Sequence, residues 1–485
     1  MIPNKKYFYL MNTPLSEGWG FNILILKTLT YKLMATRREF VQKTALGAAG
    51  LTLGAKGLSS ILDAKSYSRI IGANDRIRVG IVGYSDRFRQ SLLPAFSSLS
   101  KELNFEFTAV SDLWSMRRED ADKFFKSQGI NLRLARNNDE LYSGKDTDAV
   151  IISTADFQHA LLCAEAVNAG RDAYCEKPFA ETMADARVAR AAVEKSGKIV
   201  QIGSQRRSAP NYIAANEYLN SGKFGKIVMV EMSWNVNQPG RWRRPGVVPM
   251  LKESDTDWKR FQLNRPQAAF DPRKYLEFRL FWPYSSGIPG QWMAHQIDTV
   301  HWFTKLSHPR SVAANGGIYL WKDGRTNNDT MTAVMDYGDP SNPDTGFQVV
   351  YTSRFTNSAG GTKELYYSNG GMLNLDTNKV TSEGGLIEDE AKLMNMKANL
   401  LDPFELPSMK LETNANTGGD AMTTAHMRNW MESVRERKKP HADIVAGYNH
   451  AIACIMCNAA LRTGEKASFD EKTQEVLAGG KVFQY

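Results

Sequence analysis

From Arg76 onward the chain alternates short apolar runs with helix-patterned stretches, and the first run, Ile77-Arg78-Val79-Gly80-Ile81-Val82, ends in Gly83. Phe105 to Val110, Ala149 to Ile152, Asp172 to Cys175 and Ile199 to Ile202 repeat the pattern. Strands separated by helices are joined by crossovers rather than hairpins, which dictates a parallel sheet with helices on both faces. Local end signals agree. Asp156 is placed to N-cap a helix ending at Gly170, and Thr182 with Asp185 resembles a capping box for a helix ending at Gly197. The predicted fold class is α/β, with a doubly wound first domain over residues 75–204.

A first strand that runs into a glycine turn and a helix suits a dinucleotide, whose pyrophosphate sits at the helix N-terminus when the turn reads G-x-G-x-x-G. Here it reads Gly83-Tyr84-Ser85-Asp86-Arg87-Phe88, and only the first glycine survives. Ser85 is small enough for close approach, Arg87 is expected to contact a phosphate, and Phe88 implies altered strand–helix packing. Gly83, Ser85, Asp86 and Arg87 are the cofactor candidates of this turn. Asp112 closes the second strand where an acidic residue meets the adenosine ribose hydroxyls, so NAD is favoured over NADP. Arg117 and Arg118 lie close enough to weaken that preference, and a helix N-cap is the other role open to Asp112.

The stretch from Asp148 to Trp234 is more specific. It reads Asp148-Ala149-Val150-Ile151-Ile152-Ser153-Thr154, a helix containing His159, then Ala169-Gly170-Arg171-Asp172-Ala173-Tyr174-Cys175-Glu176-Lys177-Pro178, Gln201-Ile202-Gly203-Ser204-Gln205-Arg206-Arg207 and Gly222-Lys223-Phe224-Gly225-Lys226-Ile227. This order and spacing resembles the Gfo/Idh/MocA family, named after glucose-fructose oxidoreductase and inositol dehydrogenase. The resemblance implies an NAD-binding Rossmann domain followed, over residues 205–485, by an α/β domain with a large, mostly antiparallel open sheet. It implies oxidation or reduction of sugar-like alcohols. It also implies that Glu176 and Lys177 lie beside the nicotinamide ribose and the substrate, and that Ser153, Thr154 and His159 line the cofactor cleft. Gln205, in the next motif, joins that set.

The chemistry of the residues agrees. Taking hydride from a secondary alcohol requires a group that accepts the hydroxyl proton, and a lysine with a pKa lowered by partial burial does so near neutrality. Lys177 ends a strand at the carboxyl edge of the sheet, where such folds bind ligands, which separates it from an ordinary surface Glu-Lys pair. Pro178 fixes the backbone after it, a site for a cis bond. The segment Gly290-Gln291-Trp292-Met293-Ala294-His295-Gln296-Ile297-Asp298 resembles the family's second catalytic motif, in which an Asp four residues before a His completes a Lys-Asp-His set. His295 and Asp298 match, but Gln291 occupies the Asp position. An amide cannot share a proton with imidazole as a carboxylate does. His295 is therefore expected to act alone as acid or base, or to orient a sugar hydroxyl; a core histidine is the plainer alternative.

Lys177 and His295 are the catalytic candidates, and Gln291 and Asp298 are assigned to the substrate. Upstream lie Arg241-Trp242-Arg243-Arg244, then Trp258, Phe261, Arg265, Phe270, Arg279, Phe281, Trp282 and Tyr284. Aromatic faces and guanidinium forks suit sugar rings. Arg241, Trp242 and Tyr284 are the choices for substrate contact, because they sit in turn-rich segments.

Residues 227–234, 330–337, 347–354 and 365–375 read as strands of the second sheet, with Asn369-Gly370 as a hairpin turn. A sheet with one open face implies a homodimer or homotetramer. Two helices, Met427 to Arg437 and Gly447 to Leu461, are expected to pack on the core.

The net charge of +9 comes from 61 Lys and Arg against 52 Asp and Glu, and residues 1–63 hold eight of the former and three of the latter, leaving +4 for the rest. No basic patch with interleaved aromatics stands out, so a nucleic-acid partner is not expected. Thr36-Arg37-Arg38-Glu39-Phe40-Val41-Gln42-Lys43 precedes an Ala/Gly-rich apolar stretch and resembles a twin-arginine export signal over residues 34–63, implying a periplasmic protein. Met34 is then the expected initiator and residues 1–33 an upstream artefact, and no transmembrane segment is expected. Cys163, Cys175, Cys454 and Cys457 lack metal spacing and read as buried small hydrophobes; no metal is expected.

Three functions follow. The first is an NAD-dependent dehydrogenase acting on a secondary hydroxyl, carbon 3 being the expected position, of a sugar or glycoside. The second is a glycosidase that oxidises, eliminates, hydrates and reduces with the same NAD. The third is a non-catalytic binding protein. An exported enzyme has no free nucleotide pool, so a tightly bound cofactor is expected.

Overall fold

The computed structural model describes residues 75–408 and 420–484. The upstream stretch 1–33 and the twin-arginine segment 34–63 lie outside the described residues.

The first sheet has six parallel strands: β1 (Ile77–Val82), β2 (Phe105–Ser111), β3 (Arg133–Ala135), β4 (Ala149–Ile152), β5 (Asp172–Cys175) and β6 (Val200–Ile202). Their order is β3-β2-β1-β4-β5-β6. The near-continuous apolar runs are explained by burial on both faces: Val150, Ile151 and Ile152 are all fully buried. Because the order reverses between β1 and β4, a crevice opens at their carboxyl ends. Register fixes what lines it. Val82 pairs with Ile152 and Ile152 with Cys175, so Gly83, Ser153 and Glu176 leave the sheet side by side.

Two end signals behave differently. Thr182 caps the helix Met183–Ser196 by accepting from Asp185 N at 3.2 Å, and Gly197 ends it at φ +63°. Asp156 opens a 3₁₀ turn before the helix His159–Asn168, and its carboxylate is turned away from the helix it was expected to cap, toward the second half of the chain. Phe88, where a third glycine was sought, is fully buried against Tyr84 and Phe107, with ring centroids 5.7 and 5.6 Å apart. Aromatic packing thus replaces the close glycine approach of strand and helix.

The second sheet contains β7 (Ile227–Asn235), β8 (Ser311–Gly317), β9 (Thr330–Tyr337), β10 (Phe347–Arg354), β11 (Thr362–Ser368), β12 (Gly371–Asn374), β13 (Lys379–Thr381), β14 (Phe404–Glu405), β15 (Ala467–Asp470), β16 (Glu475–Ala478) and β17 (Lys481–Val482). Its order is β14-β13-β12-β11-β7-β10-β9-β8-β15-β16-β17. Only β7 and β10 pair in parallel. Asn369-Gly370 makes the turn that splits residues 365–375 into two strands, with Ser368 opposite Gly371. Strict alternation along β10 buries Val349, Tyr351 and Ser353 under helices and leaves the other face open, where Val228 and Val334 are 46% and 36% exposed.

The C-terminal helices run Ala421–Glu436 and Ile444–Thr463. Among the described residues only Ile444–Thr463 is long and apolar enough to cross a membrane, and 83% of its most apolar window is buried inside the protein. It closes on the first sheet at Gly447, where a Cβ would meet Ile202 Cγ1 at 2.7 Å. All four cysteines are free and buried, and no cluster of metal-ligating side chains occurs among the described residues.

Candidate active site

The crevice above β1 and β4 holds two adjoining cavities. The outer one, about 370 Å³, is lined by Gly83, Ser85, Asp112, Leu113, Trp114, Ser153 and Thr154 among others. Gly83 stands at φ +85°, and a Cβ there would meet Thr154 Cγ2 at 2.8 Å, so the turn admits only glycine. Asp112 accepts from Tyr84 N and Trp114 N, both at 2.9 Å, and burial raises its pKa. It thus clamps the glycine turn to the start of the next helix while facing the cavity. This wall fits the adenosine half of a dinucleotide: a close backbone approach at Gly83, a carboxylate at the end of β2, and a roomy, partly apolar cleft.

The inner cavity, about 110 Å³, is lined by Asp86, Arg87, Ser153, Thr154, His159, Glu176, Lys177, Gln205, Arg241, Trp242, Gln291 and His295, so the structure gathers these sequence candidates around one space. Five more aromatic or basic residues, Arg206, Trp234, Arg244, Arg279 and Trp292, also line it.

Lys177 lies two residues beyond the end of β5, and the bond to Pro178 is cis. Its Nζ donates to the Gln291 main-chain oxygen at 2.6 Å. Burial lowers its pKa to about 7, against the opposing pull of Glu176 and Asp156. Glu176 takes Arg87 Nε at 2.9 Å and Gln205 Nε2 at 3.4 Å on the same oxygen. Burial alone would raise the Glu176 carboxyl; Arg87 and Lys177 outweigh it, and the net shift is downward. Arg87 is therefore engaged with a carboxylate rather than held ready for a phosphate. His159 sets its Nδ1 2.8 Å from the Pro178 carbonyl oxygen, and burial lowers its pKa. Burial, with the positive charges of Lys177 and Arg206, holds His295 well below the ordinary imidazole range. It is a neutral ring at neutral pH, tilted against Trp234 at 5.8 Å.

Gln291 does more than fill the vacated acidic position. Its Nε2 donates to Asp156 Oδ2 at 2.6 Å, and Ser285 Oγ donates to the same oxygen at 2.6 Å. Asp156 is fully buried, with Arg279 Nε 3.6 Å from its other oxygen. A carboxylate is thus present beneath the Lys177–Gln291 contact, supplied from the end of β4 instead of the helix motif. Sequence reasoning missed it because Asp before a helix is the ordinary N-cap signal.

Two substrate candidates fall outside the cavity. Tyr284 is 3% exposed and packs edge-on against Phe157 at 5.4 Å, within a cluster containing Trp258 and Phe261. Its turn-rich segment folds inward. Asp298 is fully buried and forms a two-pronged ion pair with Arg207 at 2.7 and 2.9 Å, with no face toward the substrate space. It sits on a face of the helix adjacent to that of His295, and its carboxylate is taken up by Arg207 in the turn Gln205–Ser208. Trp242 does line the cavity, at a strained φ of +65°, edge-on to Phe355 at 4.7 Å. Arg241 lies 5.5 Å over the Trp292 ring.

Residues 77–204 match the model of the Gfo/Idh/MocA oxidoreductase family, NAD-binding Rossmann fold. Over these residues the chain is similar to the NAD-binding domain of that family. Inositol 2-dehydrogenase of Salmonella typhimurium is 28% identical over 228 residues, 47% of this chain and 54% of that protein. For 1,5-anhydro-D-fructose reductase of Ensifer adhaerens the match is 28% over 196 residues, 39% of this chain and 56% of that one. The chain spans about half the length of the curated relatives it matches. The structure of myo-inositol 2-dehydrogenase from Lactobacillus plantarum shares the fold at a TM-score of 0.57 and 16% identity, over 81% of this chain and 100% of that one. The likeness of fold therefore extends beyond the segment that sequence similarity covers.

Proposed function

We propose that the protein oxidises a secondary hydroxyl, at carbon 3, of a sugar or glycoside, using NAD held in the paired cavities. The observation that carries this reading is Lys177: an amine with a pKa of about 7, on the wall shared by the nucleotide turn and an aromatic, arginine-rich cavity.

The chain's own residues divide the work as follows. Gly83, Ser85, Ser153 and Thr154 would hold the nucleotide, and Asp112 would meet its ribose and disfavour a 2′-phosphate. When bound, NAD supplies the hydride acceptor. Lys177 Nζ, about half unprotonated at pH 7, takes the hydroxyl proton, and the Gln291 carbonyl fixes its direction. Asp156, behind Gln291, stabilises the ammonium that forms. His295, neutral, donates or accepts a hydrogen bond to a neighbouring hydroxyl. Trp234, Trp242 and Trp292 offer faces and edges to the ring and exclude water.

Names borne by relatives point the same way, since inositol and anhydrofructose present secondary alcohols or the ketone made from one. Export by the twin-arginine route to the periplasm and tight retention of NAD belong to the same proposal, supported by the motif Thr36 to Lys43. A homo-oligomer through the open face of the second sheet is supported by exposed Val228 and Val334.

The test is to purify the protein, assay bound nucleotide, and follow a glycoside panel by mass spectrometry and nicotinamide absorbance. A product lighter by two hydrogens with reduced nicotinamide supports the dehydrogenase. Free sugar with no net reduction assigns the site to the oxidising glycosidase cycle instead. Unchanged turnover in Lys177→Ala and His295→Ala would remove the site from the chemistry.

A further inference from the structure

The inner cavity carries more positive charge than its own acids neutralise. Arg87, Lys177, Arg206, Arg241, Arg244 and Arg279 line it, against Asp86, Glu176 and Asp420. Three of these cations are matched: Arg87 by Glu176, Arg206 by Glu364 behind the wall, and Arg244 by Asp86 at 3.1 Å. Asp86 is already shared, because Arg89 and Arg117 hold its other oxygen. It has no capacity left for a further guanidinium.

Of the other three, Lys177 is held by the Gln291 carbonyl and Arg279 has only the buried Asp156 at 3.6 Å, while Arg241 has no acid of its own among the described residues. Arg241 has one donor on the Gln238 side-chain oxygen at 2.7 Å, and its buried Nε has no hydrogen-bond acceptor among the described residues. Arg279 lies on the Phe278 ring at 4.7 Å, and its buried Nε stops 3.6 Å short of Asp156, beyond hydrogen-bond reach. Burial lowers the Arg241 pKa to about 10, helped by the like charges of Arg279 and Arg244, so the three guanidiniums sense one another. Burial lowers Arg279 too, and Arg244 adds to it. Two enclosed guanidiniums that share the one distant carboxylate of Asp156 are costly unless a further negative group joins them.

The position says which ligand that is. Arg241 lines only the inner cavity, with Lys177, His295, Trp234, Trp242 and Trp292, and does not border the outer, nucleotide-side cleft. Arg279 borders both. The geometry points to a carboxylate-bearing sugar, a hexuronic acid or its glycoside, as the substrate class, with the carboxylate gripped by Arg241 and Arg279 while the ring lies among the tryptophans. A planar guanidinium fork matches a planar carboxylate in two parallel hydrogen bonds. This rests on the sugar-oxidising reading of the site, but its test is binding and needs no turnover.

Tryptophan fluorescence of the purified protein, as isolated and after loading with NAD, is titrated with methyl β-D-glucuronide and with methyl β-D-glucoside. The glucuronide binds at least tenfold tighter, and the ratio shrinks as salt rises. In Arg241→Gln and in Arg279→Gln the preference falls below threefold, and Arg241→Lys restores part of it, while NAD affinity of the Arg241 variants stays within twofold of wild type. Equal binding of the two glycosides, binding of neither, or an unchanged preference in both variants overturns the inference. So does a large loss of NAD affinity in Arg241→Gln, which would give that arginine to the nucleotide phosphates. If the preference holds while Lys177→Met leaves turnover intact, the acid-sugar site stands and the catalytic reading falls.

Discussion

Replacing Asp156 by Asn removes one charge from beneath Lys177 while keeping the shape of the side chain. Asp156 Oδ2 accepts from Ser285 and Gln291 at 2.6 Å each, and an amide oxygen in its place can accept both. What is lost is the electrostatic support. A unit charge ~5–8 Å away at an effective dielectric of about 20 is worth about 2–3 kcal/mol. One pKa unit is about 1.4 kcal/mol, so Lys177 is expected to lose one to two units or slightly more. The sign follows from the chemistry: Asp156 favours the ammonium, so its removal lowers a pKa that burial has already brought to about 7. In a pH profile of kcat/KM the acid limb should move to lower pH by that amount. The high-pH plateau should drop about 3- to 10-fold, because the weaker base takes the proton less readily. The assay is reduced-nicotinamide absorbance with the best glycoside between pH 5 and pH 9. An acid limb that stays near pH 7, or moves upward, refutes the coupling of Asp156 to Lys177.

Four further outcomes are expected. Gly83→Ala, whose Cβ would sit 2.8 Å from Thr154 Cγ2 at φ +85°, should weaken NAD binding more than tenfold by calorimetry and leave the circular dichroism of the sheets unchanged. Asp298→Asn should cost about 3 kcal/mol in denaturant unfolding, because Arg207 loses a buried counter-charge, yet change KM and kcat less than twofold. Burial pushes Glu181 up to about 7 from an unfolded value near ~4.3, so its stabilising protonation is present below pH ~4 and lost as pH rises through about 7. Glu181→Gln should therefore remove about 2–3 kcal/mol of the difference in stability between pH 5 and pH 8. Arg87→Met, which strands Glu176, should destabilise by about 3–5 kcal/mol and lower NAD affinity as well.

The doubly wound sheet was legible where a strand is buried on both faces and spells itself as an unbroken apolar run, as in Ala149 to Ile152, whereas the edge strand Arg133–Ala135, with Leu134 41% exposed, carries no such run and was not expected. Lys177, Glu176 and Thr154 were legible because register alone brings strand ends together. What the sequence hid was set by long-range rotation. Asp298 and His295 share a helix but point to different neighbours, and only the packing of Ala294–Thr304 on Arg207 decides which faces the cavity. Tyr284 looked like a loop residue until its segment folded onto Phe157. Arg279 stood among several arginines of one segment, and nothing local separates it from Arg265, which is paired with Asp185 in the core. Asp156 carried a signal with a sufficient local explanation, so its distant role could not be read from its neighbours.

The central claim is that the Lys177 amine takes the substrate proton, and its own titration tests that most directly. In the wild type, kcat/KM should rise with pH along a single-proton limb centred at about 7. Lys177→Met should abolish that limb and lower the rate about 100- to 10,000-fold, the range general-base catalysis supplies, while NAD stays bound. A Lys177→Met protein that keeps both the limb and the rate would contradict the account.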